Sequence, residues 1–476
     1  MKIKNIIYGL IIVIALGSCS DWLTVYPKTE MPTQSQFSSE QGFKDALSGV
    51  YTLIKNPTLY GGGLTFSNIE YMAALWDVNT STAEQALSLH KYSDEKATLV
   101  IDAIYAKQYN AIVNLNAILE NIDLNKTVFK TEGMYEIVKG EALALRAFIH
   151  FDLLRMFGPL PSLPDGAGGK LPYVKRVSKE INIPITYTEY KTAVLKDLTD
   201  AENLLKTVDP LVNATVAANK SSNIVSDYFA YRIIRMNFYA VKALQARANI
   251  WFGNNTDAYD AAMAVINAQN PDGTKKFTLG STADFGSKNF VLPSEHVFCL
   301  HDYALYTKYT NNFSSGTLKK GSTITNIKTT MFGNTGTDIR ELNLWELITL
   351  GNGTSCHIIK KYQVPQTITN INSDYRQIPL IRLSELYMIA IETGTGVQSL
   401  WDEYRSTRGI TAKTLPADIV ALKKDIMIES RKEFYAEGQM FYLYKRYNSP
   451  RADILFSSTS MVVNYVVPLP KSEISQ

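Results

Sequence analysis

The chain has 476 residues, enough to bury a large core, and 48 basic against 45 acidic side chains give a formal charge of +3. So even a balance implies no nucleic-acid or other polyanion partner, and three cysteines exclude a disulfide-built scaffold. The 28 tyrosines, beside 19 Phe and 5 Trp, suit a core and a surface rich in amphipathic rings.

Residues 1–18 read as a secretory signal. Lys2 and Lys4 precede an apolar run from Leu10 to Leu16, and small residues follow it. The run is too short to span a bilayer, which takes about 20 apolar residues. Leu16-Gly17-Ser18-Cys19 resembles the lipobox of bacterial lipoproteins, which makes Cys19 the expected lipidation site. Acyl chains there would hold a body at a membrane without a spanning helix. Loss of Lys2 and Lys4 with the signal takes the charge from +3 to +1. Residues 19–40, rich in Pro, Thr, Ser and Gln, read as a tether.

Helical periodicity then predicts a scaffold over 41–270, with helices at 41–55, 97–121, 131–157, 187–206, 228–252 and 257–269. Within 141–157 apolar residues cover most of the circumference, so that segment is expected to be deeply buried, with Asp152 and Arg155 able to pair at i, i+3. Gly158-Pro159 stops it, and a long loop runs to Pro184. Residues 236–269 form a helix, turn, helix unit of the length of a tetratricopeptide repeat, with Ala240, Ala243, Ala246 and Ala248 allowing close helix approach.

Residues 271–379 change texture to Gly, Asn, Thr, Ser and aromatics and read as a loop-rich, ligand-binding insert. "HVFCLHDY" and "CHIIKKYQV" are its expected short strands. Residues 380–476 return to helices, at 380–392, at 417–437 and in "QMFYLYKRY". The fold class is therefore mainly α, a tetratricopeptide-like scaffold with an irregular insert carrying short strands.

The sequence lacks G-x-x-x-x-G-K-[ST], H-E-x-x-H, C-x-x-C and G-x-S-x-G, so no catalytic residue is assigned. Glu295, Cys299 and His301 would share one face of a strand, and a structural strand is the preferred reading over a metal site. Cys299 and Cys356 are either bridged or free. Sugar rings stack on aromatics while their hydroxyls need amide or carboxylate partners. Two loops offer both: "LWDVNTST", with Trp76, Asp77 and Asn79, and "DYALYTKYTNNF", with Tyr303, Tyr306 and Tyr309. Trp345 in "ELNLWEL" is a further candidate.

Six blocks then carry a resemblance. "GFKDALSGVYTLI", "GEALALRAFIHFDLLRMFGPLP", "AVKALQARANIWFGN", "IPLIRLSELYMIAIE", "ESRKEFYAEGQMFYLYKR" and "VVPLPKSEI" occur in the order found in the SusD/RagB outer-membrane lipoproteins of Bacteroidetes. The resemblance implies four tetratricopeptide-like units against a ligand-bearing region, no enzymatic activity, and no cofactor beyond occasional calcium. It also implies a carbohydrate-binding lipoprotein of nutrient uptake and polysaccharide utilisation, anchored in the outer membrane and facing outward. Its partners would be an oligosaccharide or polysaccharide and a SusC-like TonB-dependent transporter. A peptide binder or a purely structural lid of that transporter is the alternative, and a glycoside hydrolase a third. Met440 and Leu443 stand where the family has Arg and Asp, and the helix after Glu392 is abbreviated to "TGTGVQS".

Overall fold

The computed structural model describes residues 33–166, 168–220, 227–369 and 374–474. Cys19 and the signal lie outside them. Ten main helices form the scaffold: α1 (Glu40–Ile54), α2 (Glu95–Ile122), α3 (Met134–Phe157), α4 (Tyr187–Leu205), α5 (Phe238–Trp251), α6 (Asn255–Ile266), α7 (Leu383–Thr393), α8 (Gln398–Thr407), α9 (Ile419–Glu433) and α10 (Met440–Tyr447). Helices α2 to α7 pack in chain order, α2 on α3, α3 on α4, α4 on α5, α5 on α6 and α6 on α7, giving the tetratricopeptide-like array. No helix among the described residues is long and apolar enough to cross a membrane.

Helix α3 is the axis of the array. Every residue from Gly140 to Phe157 is buried, so its polar side chains must find partners inside. Arg146 grips Asp197 of α4 with Nε at 2.7 Å and Nη2 at 2.9 Å, and Nη1 donates to Asn116 of α2 at 2.9 Å. Asp152 accepts from Arg155 Nε at 3.0 Å and from the Tyr60 hydroxyl at 2.8 Å, as the i, i+3 spacing suggests. His150 stacks on Tyr173 at 4.0 Å. Glu141 takes Arg232 from beyond α4. The alanines of α5 are buried, α5 packs against α6, and Gly253, at φ +76°, makes the left-handed turn between the two helices.

Helix boundaries differ from expectation at several ends, most by a few residues, and three of the differences have a clear local cause. Helix α5 starts at Phe238, ten residues after the expected start at 228, because Tyr231 is left-handed at φ +53° and Asn237 caps the helix by accepting from Ala240 N. Residues 377–382 are a strand, since Pro379 keeps Ile378 extended and the segment pairs with residues 296–301, so α7 begins only at Leu383. After the Gly394–Gly396 turn the chain does form a helix, α8, which buries Trp401 and Tyr404.

Four short strands organise the insert. β1 (His296–His301) pairs antiparallel with β4 (Gln377–Arg382), and β2 (Trp345–Thr349) pairs with β3 (Ser355–Ile359), with Trp345 opposite Ile359. Among the described residues no cluster of three or more His, Cys, Asp or Glu could hold a metal. Glu295 instead binds Arg382 at 2.8 Å and Arg408 at 2.5 Å. Cys299 and Cys356 are both free and buried.

A buried ionic network fastens the insert to the C-terminal helices. Glu433 receives Arg382 at 2.8 Å, Arg408 at 2.9 Å and Arg340 at 3.1 Å, while Arg340 also reaches Asp338 and Glu429. The guanidinium groups hold the Glu433 carboxyl well below the usual range against the opposing effect of burial. Met440 is fully buried and Leu443 packs half-buried against the core.

Candidate functional site

The loop after the short helix Asn68–Met72 turns at Ala74, a left-handed residue at φ +57°, and then alternates inward and outward. Trp76 points in. Its Nε1 donates to the Phe66 carbonyl at 2.8 Å, it is 2% exposed, and its ring meets Tyr435 at 4.9 Å and Phe313 at 6.0 Å. The sequence-based expectation of a sugar-stacking platform at Trp76 is therefore corrected: both its area and its single donor are used in packing.

Asp77 points out. Its Oδ1 lies 3.0 Å from Lys320 Nζ, its Oδ2 accepts from Gly321 N at 2.5 Å, and its own N–H donates to the Lys319 carbonyl at 3.0 Å. Burial lowers the Lys320 pKa, with Asp77 opposing the shift. These contacts join the loop to the segment after Phe313 and fix the carboxylate across a cleft of about 320 Å³. Asn79 is exposed at its rim. Thr82 ends the loop by accepting from Gln85 N at 3.2 Å and donating to the Asn79 carbonyl at 3.0 Å. That cap starts the short helix Ala83–Ser88, which contributes Glu84 to the cleft.

The opposite wall was not foreseen. Ser315, Thr317 and Lys319 supply it, and the Ser315 and Thr317 hydroxyls lie 2.9 Å apart, with Ser315 donating to the Asn311 carbonyl at 2.7 Å. Tyr71 forms an aromatic part of the floor. Carboxylate, amide, hydroxyl and ammonium groups thus line one cleft together with a single aromatic residue, a lining suited to a polyhydroxylated ligand.

The second predicted loop divides. Tyr303 and Tyr306 are 57% and 38% exposed at the start of the short helix Leu305–Tyr309. Arg376 donates to the Tyr303 carbonyl at 2.7 Å, and Gln366 Nε2 donates to the Tyr306 hydroxyl at 3.1 Å. Tyr309 is 5% exposed and stacks on Phe313 at 5.5 Å, so it is a packing residue. Trp345 is half-buried in β2, its ring 4.9 Å from Tyr435. The structure therefore gathers Trp76, Tyr309 and Trp345 into one aromatic cluster beneath the surface. Asp77 and Asn79 line the cleft above it. Tyr306 stands on the order of 13 Å from Ser315 along the same helical stretch.

Residues 21–222 match the SusD-like family model described as "Starch-binding associating with outer membrane". A crystal structure of a SusD superfamily protein from Bacteroides thetaiotaomicron superposes with a TM-score of 0.67 at 20% identity, covering 92% of this chain and 98% of that one. The chain has the fold of the SusD superfamily structures. A SusD homolog from the same organism gives a TM-score of 0.70 at 14% identity, covering 94% and 98%. A "laminarin binding SusD-like protein" gives 0.63 at 16%, covering 92% and 97%. In sequence, a SusD-like protein of Formosa agariphila is 24% identical over 176 residues, 34% of this chain and 31% of that protein, so the match spans less than a third of the relative. The family model thus matches residues 21–222, in the N-terminal half of this sequence, and the solved structures share its fold over nearly the whole length.

Proposed function

We propose that this chain is a SusD-like surface lipoprotein that captures an oligosaccharide and passes it to a SusC-like TonB-dependent transporter, without cleaving it. The observation that carries the reading is the cleft at Asp77 and Asn79, where polar groups converge with Tyr71 beside a surface bearing exposed Tyr303 and Tyr306. Asp77, Glu84 and Asn79 would accept from or donate to sugar hydroxyls, and the exposed tyrosines would stack on the apolar faces of further sugar units. Weak binding at each contact suits a ligand that must be released onward. The laminarin-binding neighbour supports carbohydrate as the ligand class.

Retention of a panel of neutral oligosaccharides by the purified protein, with product analysis, tests the reading. Retention without cleavage supports it. Cleavage products would assign an enzyme, and no retention would leave a lid or peptide binder. Anchoring is tested separately: Cys19→Ser is expected to move the protein from the outer-membrane fraction to the soluble one.

A further inference from the structure

A second cavity, of about 70 Å³, lies between α5, α7, α9 and α10, among residues that the glycan reading does not use. Its walls are largely apolar, with Ile250, Ile389, Ile426, Met388 and Met440 among them. Polar side chains interrupt those walls, among them Arg247 and Tyr442. Arg247 spends Nε and Nη2 on the Glu385 carboxylate, each at 2.6 Å, and Nη2 also on the Leu380 carbonyl at 2.6 Å. Its Nη1 is buried without a hydrogen-bond partner, and so is the hydroxyl of Tyr442. Both residues line the cavity and are more than nine-tenths buried, at 4% and 3% exposed.

An unsatisfied buried N–H or O–H is costly, and native interiors rarely leave two in one place. We propose that this cavity binds a small aliphatic monocarboxylate, its oxygens accepting from Arg247 Nη1 and Tyr442 Oη and its alkyl tail lying on the Ile and Met side chains. The three guanidinium groups of the lining are each ion-paired, Arg155 with Asp152, Arg247 with Glu385 and Arg446 with Glu392, so what the site offers an anion is the unused donors rather than net charge. Tyr442 keeps its proton to donate, because burial raises its pKa, and its ring is held under Arg155 with 3.9 Å between guanidinium carbon and ring centre. The volume equals about five water-sized spheres, which fits roughly four to six heavy atoms, the range from acetate to butyrate. The bound acid would bridge α5 and α10, far from the proposed sugar cleft in the chain and distinct from it in chemistry.

Purified protein carrying labelled Ile and Met methyl groups, titrated with sodium butyrate at constant ionic strength and followed by NMR, tests this. Saturable shifts are expected at Ile250, Ile389, Ile426, Met388 and Met440, and neither n-butanol nor sodium chloride should reproduce them. Tyr442→Phe keeps the ring under Arg155 and removes only the hydroxyl, so it should weaken butyrate binding by about fivefold or more with the other methyl signals in place. If that variant does not fold, Arg247→Lys, which lacks Nη1, serves as the second comparison and should show the same loss. Absence of shifts at these methyls, equal shifts with butanol, or undiminished binding in the folded variant would overturn the proposal and assign the cavity to water. The result is independent of whether any glycan is retained.

Discussion

The indole of Trp76 meets the phenol ring of Tyr435 edge to face at 4.9 Å, and the same Tyr435 ring meets Trp345 at 4.9 Å, so one tyrosine from the C-terminal half joins two distant tryptophans. Its hydroxyl donates to the Leu75 carbonyl, next to Trp76. Aromatic pairs of this geometry are worth about 0.5–1.5 kcal/mol beyond buried area. They also hold the Asp77 loop from below.

Trp76→Ala is therefore expected to destabilise the fold by about 3–5 kcal/mol, as for other large buried aromatics. Chemical unfolding measures it. Trp76→Phe should leave glycan retention per folded molecule unchanged, and a specific loss of retention there would restore Trp76 as a ligand contact.

Tyr303 and Tyr306 should behave in the opposite way. Being exposed, each is expected to shift stability by less than about 0.5 kcal/mol when changed to Ala. Retention of a neutral oligosaccharide should fall roughly two- to tenfold for each, the equivalent of one lost stacking contact. Affinity electrophoresis beside thermal unfolding separates the two effects. Unchanged mobility in both variants would remove these rings from the site.

The Arg146–Asp197 pair carries a third prediction. Asp197 also accepts from the Tyr173 hydroxyl at 2.6 Å, so Asp197→Ala strands a buried guanidinium and a phenol together. Removing one partner of such a pair costs about 3–5 kcal/mol. A double-mutant cycle with Arg146→Met is expected to recover much of that loss, because the stranded charge is then gone. Additive losses would show that the two side chains act independently.

These cases also show what the sequence makes legible. The run Gly140–Phe157 reads as buried because no polar stripe remains on it, and Asp77 and Asn79 read as ligand candidates because a carboxylate and an amide sit beside Trp76 in a polar loop; the structure puts both at the cleft. The far wall of the cleft is not legible in this way. Gly321 meets Asp77 across 244 residues of chain, and Glu433 meets Arg408 across 25 and Arg382 across 51. Pairings of that kind leave no local period to detect. The strand at Gln377–Arg382 was hidden for a related reason: a short apolar run fits either helix or strand, and its pairing with β1 decides. Trp76 and Tyr309 misled because sequence chemistry reports a ring but not which way the loop turns it.

Glu70 gives the last prediction. It is fully buried, and its carboxylate accepts from Ala436 N and Gly438 N, each at 2.8 Å, pinning the turn between α9 and α10 beside Tyr435. Burial pushes its pKa up to about 8, although the two N–H donors favour the charged form. The folded protein then binds more protons than the unfolded chain between that value and the ordinary carboxyl pKa of about 4.3. Its contribution to stability is therefore complete below the unfolded value and is lost as pH rises through about 8. Glu70→Gln cannot titrate, so the difference in Tm between wild type and variant should move in favour of the variant from about pH 5 to pH 9. Groups common to both proteins cancel in that difference. Parallel Tm curves would mean that Glu70 stays ionised in the folded state, with the two backbone donors outweighing the loss of water.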